Sequence, residues 1–343
     1  MRKRFFLLLA TILMCGAMTT VLTSCSDSDD DNNDDFIQKT VAVLLPDGAN
    51  LARWATDKAN LEAVMAMYGF NAVFYVAPET PEGAAQQVRQ LNKAINDGVK
   101  YIVLTAIDYK KINESGLLDQ HPDVKVVCHD RIILDNPRIA YVSSTDTKEI
   151  GRTQAMFLLN HYHSTGAAFM TLEILEGPQT DVNAKDYYDG AMELLGKYID
   201  DGKLIVKSGK TAYNDVKADS WSVADGKKEM TERLNCYAAG LCPDMILAAN
   251  DNLAQGAIEA LEEAGIATKP VITGQDNTAM AQANIQSGKQ TMTIDKNLKD
   301  MAYNTAMIVN SLIYNSPIHT THRISNIPAV FSRLTVITQD SHQ

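Results

Sequence analysis

The sequence predicts an α/β chain built as two doubly wound, parallel-sheet lobes, one after the other. Three observations carry this. Short apolar runs alternate with amphipathic helical stretches, and runs without internal polar alternation are how strands covered on both faces read. The pattern proceeds to about residue 130 and restarts near residue 167. About three hundred residues follow an N-terminal leader, which is more than one core ordinarily serves.

The elements follow in order. Residues 40–45 are the first apolar run, closed by Pro46-Asp47-Gly48. A helix comes next, with Leu61, Val64, Met65 and Tyr68 on one face and a stop at Gly69. Residues 71–76 form the second strand. Residues 82–97 are helical, with Val88, Leu91 and Ile95 in register and Gly98 as the stop. Residues 101–105 and 124–129 are further short, buried strands. In the second unit, residues 167–175, 204–208, 245–248 and 271–274 read as strands, and a helix over 253–264 ends at Gly265. Residues 297–314 are helical, and the tail from 317 to 343 carries a last apolar segment at 328–337.

The first residues set the compartment. Arg2, Lys3 and Arg4 precede an apolar stretch over 5–22, interrupted by Thr11, Gly16, Thr19 and Thr20 and closing on Leu22-Thr23-Ser24-Cys25. That order reads as a secretory signal over 1–24, with Cys25 as the acylated N-terminus of the mature chain. The stretch is short, broken and followed by acid, which argues against a membrane-spanning anchor. Residues 25–35 are an acidic, disordered tether, too polar to join a core. The acidic run resembles a lipoprotein surface-export signal. The expected location is therefore exported and lipid-anchored, facing the periplasm, at the outer membrane or on the cell surface.

Removing the three basic residues of the signal takes the net charge from −11 to −14. Such a chain repels nucleic acid and anionic lipid, so the lipid alone would hold it to a membrane. Cys128 lies within a strand and reads as an inert buried thiol. Cys236 and Cys242 flank a short turn and are read either as a small loop disulfide or as a reduced pair. No Walker loop, Gly-x-Gly-x-x-Gly or basic stripe is present. His161 and His163 point to different sides of a helix, and His319 and His322 lack a nearby acid or thiol, so no metal or cofactor is expected.

Ligands of open parallel sheets sit beyond the carboxyl ends of the strands. The residues there form one chemical set. Arg53 and Trp54 follow the first strand, and Asp130 and Arg131 follow the fourth. In the second unit come Asp181, Asn183 and Lys185, then Trp221, then Asn250 and Asp251, then Asp276, and finally Lys296. Planar carboxylate, amide and guanidinium groups grip neighbouring hydroxyls, each of which both donates and accepts. The apolar C–H face of a sugar ring stacks on a flat aromatic. Both tryptophans of the chain fall in this set.

From about Thr40 to about Tyr314 these segments resemble the type I periplasmic sugar-binding proteins, in their xylose-binding and multiple-monosaccharide-binding branch. The matching motifs are Arg53-Trp54, Ala106-Ile107-Asp108, Asp130-Arg131-Ile132-Ile133, Asn183-Ala184-Lys185 with Asp189-Gly190-Ala191-Met192, Asn250-Asp251, Thr273-Gly274-Gln275-Asp276, and Gln290-Thr291-Met292-Thr293 leading to Lys296. The resemblance implies that Arg53, Trp54, Asp130 and Arg131 hold the sugar from the first lobe. It implies that Asp181, Asn183, Trp221, Asn250, Asp276 and Lys296 hold it from the second. Asp108 reads as a helix cap with sugar contact as a lesser role, and Lys185 and Asp251 as groups orienting their neighbours. Val182 and Cys128-His129 depart from the family pattern, and His129 either narrows the sugar preference or packs.

The resemblance also implies two Rossmann-like lobes joined by a three-segment hinge near 144–146, 295–297 and 316–319. The first lobe would comprise 36–144 with 297–316, and the second 147–294 with 320–343. A monomer closing on a monosaccharide and delivering it to an ABC permease is the expected function. Presentation of sugar to a membrane sensor without transport is the alternative. A glycosidase using Asp130 and Asp276 is a third reading, disfavoured because a cleft enclosing one sugar leaves no room for an aglycone.

Overall fold

The structure is a computed structural model that describes residues 39–47, 52–320 and 322–342. The signal over 1–24, the tether over 25–35 and Cys25 lie outside the described residues. The first half runs β1 (Thr40–Pro46), α1 (Arg53–Met67), β2 (Asn71–Ala77), α2 (Pro81–Asn96), β3 (Tyr101–Leu104), short helices α3 (Tyr109–Glu114) and α4 (Leu117–Gln120), β4 (Lys125–His129) and β5 (Ile139–Ser144). The second runs α5 (Thr147–Thr165), β6 (Met170–Leu175), α6 (Val182–Asp200), β7 (Leu204–Ile205), α7 (Tyr213–Val216), α8 (Val223–Leu234), β8 (Met245–Ala248), α9 (Asp251–Glu263), β9 (Val271–Ile272), α10 (Ala279–Gln286) and β10 (Met292–Asp295). The chain ends in α11 (Leu298–Ile313), β11 (His322–Ile324), β12 (Ile327–Phe331) and β13 (Thr335–Thr338).

Side-chain caps fix where the helices begin. Thr80 accepts from the Gly83 amide with Pro81 at the first helical position, Asp146 accepts from Glu149, and Asn250 accepts from Leu253. The strands sort their side chains by parity. Ala42, Leu44, Ile102 and Leu104 pack towards Leu91 and Ile95 of α2, while Val41, Val43 and Val103 pack towards Leu61 and Met65 of α1 and Ala306 and Val309 of α11. In the second half Leu172, Ile174 and Leu247 face α5 and α6, and Leu175, Ile246 and Ala248 face α8 and α9.

The seven-stranded sheet has the order β11-β12-β5-β4-β3-β1-β2 and is parallel except for β11. The four-stranded sheet, β7-β6-β8-β9, is parallel throughout. Each reverses its winding beside its first strand, β1 or β6, and both reversal points open a crevice at the strands' carboxyl ends. Helices α5 and α6 approach closely: a Cβ on Gly151 would lie 1.9 Å from the Tyr187 carbonyl oxygen, and one on Gly190 2.1 Å from that of Lys148.

The C-terminal tail departs from the expected division. Residues 322–331, expected with the second lobe, extend the seven-stranded sheet, where β12 pairs with β5 through Ala329 and Val142. The reason is an edge: β5 has a free flank, and fully buried Ala329 completes the core beside Val142 there. Only β13 reaches the second half, as an antiparallel partner of β10. The third crossover thus lies between Phe331 and Thr335, not at 316–319. The three crossovers meet, because the Ser332 amide donates to the Ser144 carbonyl (2.8 Å) and the Ser332 hydroxyl to the Lys296 carbonyl (2.7 Å). Cys236 and Cys242 are free thiols, so no loop disulfide forms. Cys236 is exposed, while the Cys242 thiol lies 4.0 Å from the Thr268 carbonyl.

Candidate binding site

The two reversal points face one another, and their strand-end residues line a narrow cavity between them. From the seven-stranded side come Arg53 and Trp54 at the start of α1 and Asp130 and Arg131 after β4. From the other come Asp181, Tyr187 and Trp221, with Asn250, Gln275 and Asp276 at the ends of β8 and β9. Lys296 enters from the crossover after β10.

A web of ion pairs spans the cavity. The Arg53 guanidinium meets Asp130 at 3.0 Å, Asp57 at 2.6 Å and, across the cleft, Asp276 at 3.4 Å. Lys296 Nζ lies 2.9 Å from Asp276 and 3.5 Å from Asp130. Arg131 bridges the halves, with Nε 2.8 Å from Asp181 and Nη2 2.5 Å from Glu79. The Trp221 indole donates to Asp181 (3.1 Å) and the Trp54 indole to Glu79 (3.2 Å). Arg53 and Arg131 lie 4.3 and 5.0 Å from the Trp54 ring centroid.

Three cations and three carboxylates line the cavity, and Asp57 and Glu79 add two further carboxylates behind Arg53 and Arg131. Burial raises the cost of charge on Asp130, but Arg53, Lys296 and Arg131 outweigh it and hold that carboxyl well below the usual range. Burial likewise opposes charge on Lys296 and Arg53, and the facing carboxylates keep both above their ordinary values. At Asp181 burial prevails over Arg131 and raises the carboxyl. Two buried polar atoms, Arg53 Nε and Gln275 Oε1, have no partner among the described residues, so the lining keeps donor and acceptor capacity in reserve. The backbone is strained at the same place: Asp130 has φ of 64° and Asp276 of 96°.

Asn183 stands one step back, with its side-chain amide donating to the Asp130 carbonyl (3.1 Å) and so tying the two halves together. Asp251 orients its neighbours, accepting from Thr278, Gln290 and Thr293, and burial beside Asp276 pushes it up to about 7. Three lesser candidates lie elsewhere. Lys185 is solvent-exposed and pairs with Asp189 because its helical position faces outward. His129 turns away from the cavity to Thr305 (2.8 Å) and Asp57. Asp108 caps α3 through the amides of Lys110 and Lys111 and borders a neighbouring cavity.

Tyr187, Gln275, Asp57 and Glu79 were not foreseen. Tyr187 lies four residues after Asn183 on α6 and so shares its face, and Gln275 stands inside the quoted Gly274-Gln275-Asp276. Asp57 follows Arg53 by one helical turn. Glu79 follows β2 and so stands beyond a strand end as the other candidates do.

Residues 41–316 match the family model described as periplasmic binding protein domain. The chain is 30% identical over 280 residues to the multiple sugar-binding periplasmic receptor ChvE of Rhizobium radiobacter, covering 80% of this chain and 78% of that one. It is 29% identical over 266 residues to the D-xylose-binding periplasmic protein of Escherichia coli strain K12, covering 78% and 76%. Among solved structures it resembles an ABC transporter solute-binding protein from Clostridium phytofermentans with bound β-D-glucose. That match has a TM-score of 0.83 at 26% identity and covers 88% of this chain and 95% of the other.

Proposed function

This chain belongs to the periplasmic binding protein family, and from that premise we propose that it is an exported monosaccharide-binding protein of an ABC-type importer. It is a binding protein and not an enzyme. The observation that carries the ligand class is the lining itself, in which paired carboxylates, guanidinia and an ammonium stand beside two tryptophans. A neutral pentose or aldohexose offers hydroxyls to the paired carboxylates and guanidinia and C–H faces to Trp54 and Trp221.

Closing proceeds by hinge movement about the three hydrogen-bonded crossovers, and it removes water from the charged lining, which strengthens each bond. Micromolar binding needs about −8 kcal/mol, within reach of several charge-assisted bonds and two stacked faces. Acylation of Cys25 would tether the protein, and a membrane permease would read the closed form; the leader sequence and the family support these two points. The test is the thermal midpoint of the purified protein with xylose, arabinose, glucose and galactose. A ligand of the folded state raises it. No shift with any of the four would reject the reading.

A further inference from the structure

Resting on that reading, we propose that a second cavity beside the first is a subsite for another sugar ring, so that the ligand class extends to disaccharides. This space lies against the inner cavity and shares two wall residues with it, Arg131 and Trp221. The Glu79 carboxylate lies on the outer side of this boundary, held by Arg131 and the Trp54 indole. The outer space is the roomier of the two.

The outer walls have the chemistry of a sugar site. Pro81, Ile107, Pro178 and the Trp221 ring supply apolar surface suited to a ring's C–H face. Asp108, Lys111, Thr180 and Ser220 supply polar groups around it. Both capping bonds of Asp108 use Oδ1, which leaves Oδ2 for a ligand hydroxyl. The walls come from both halves of the molecule, so the movement that encloses the first ring also encloses the second.

Isothermal titration of the wild type and of Thr180→Trp decides the matter. Thr180 is exposed, lies in the loop between β6 and α6, and borders the outer cavity but not the inner. The probes are xylose, glucose and galactose against xylobiose, cellobiose, gentiobiose, maltose and lactose. At least one disaccharide is expected to bind the wild type within tenfold of its own monosaccharide. Thr180→Trp is expected to weaken that disaccharide tenfold or more and the monosaccharide less than threefold. Monosaccharides binding while every disaccharide fails would overturn the subsite and leave the monosaccharide reading standing. So would a disaccharide affinity untouched by the indole. If no sugar of either kind binds, both readings fall. Should Thr180→Trp not fold, shown by loss of monosaccharide binding as well, the wild-type panel decides by the same criteria.

Discussion

Gly177 seats the Trp221 ring by having no side chain. A Cβ there would lie 2.1 Å from Cη2 of Trp221, a rigid and buried ring. Gly177→Ala is expected to push the indole off its seat against Tyr187 and weaken sugar binding at least tenfold, about 1.4 kcal/mol. Titration calorimetry checks this, and an unchanged affinity would show that the ring's position is immaterial. Asp251 makes a second case. Its two oxygens accept four bonds, from the Thr278 amide and hydroxyl, Gln290 and Thr293. An amide would turn an NH2 against some of these donors, so Asp251→Asn is expected to cost about 2 kcal/mol or more in urea unfolding. Both sites show what was legible. The strand-end rule located Arg53, Asp130, Trp221 and Asp276 because backbone topology delivers those residues whatever their rotamers. It could not say that His129 turns inward to Thr305 or that Lys185 faces water, since one turn of chain at a strand end or helix start offers both directions.

At the scale of elements, the apolar runs gave away most strands, and capping residues and glycines gave away most helix ends. What escaped is instructive. β5 reads Ile-Ala-Tyr-Val-Ser-Ser, too polar at its end to announce a buried strand, yet Ser143 and Ser144 are satisfied by donating to the Met301 and Asp130 carbonyls. β12 carries Pro328, which disfavours a central strand, but Pro328 is paired only to the short β11 near the sheet edge. Pairing over long sequence distances, not local propensity, made these strands. The start of α11 offers a test at this scale. Asn297 sits in the left-handed region at φ of 47° and caps the helix by accepting from the Asp300 amide, directly after the site residue Lys296. Asn297→Ala loses the cap and meets strain, and is expected to cost about 1–2 kcal/mol. Asn297→Gly relieves the strain and is expected to cost only a few tenths. Chemical denaturation of the two variants gives the difference, and equal losses would refute the capping account.

For the whole molecule, the buried carboxyls determine how stability follows pH. Burial pushes Asp251 up to about 7 and, outweighing the Gly177 amide, holds Glu176 well above the carboxylate range. In the unfolded chain both titrate near 4, at about the ordinary carboxyl value. Between about pH 4 and 7 the folded state therefore holds protons that the unfolded state has released, and stability rises as pH falls through that window. Asp130 and Asp57 have the opposite sign, because Arg53 depresses them against burial. Their stabilisation is fully present above about 4 and is lost only in stronger acid, so it does not vary within the window. The formal charge of −11 pulls the same way as the raised groups, since protonation relieves self-repulsion. The ligand-free thermal midpoint is thus expected to be higher at pH 5.5 than at pH 7.5, by about 2–4 °C for each kcal/mol. Glu176→Gln keeps the shape without the charge, so it is expected to raise the midpoint at pH 7.5 and flatten the slope. A midpoint that climbs towards pH 7.5 in the wild type would mean that these carboxyls fold ionised, and that burial is not what governs them.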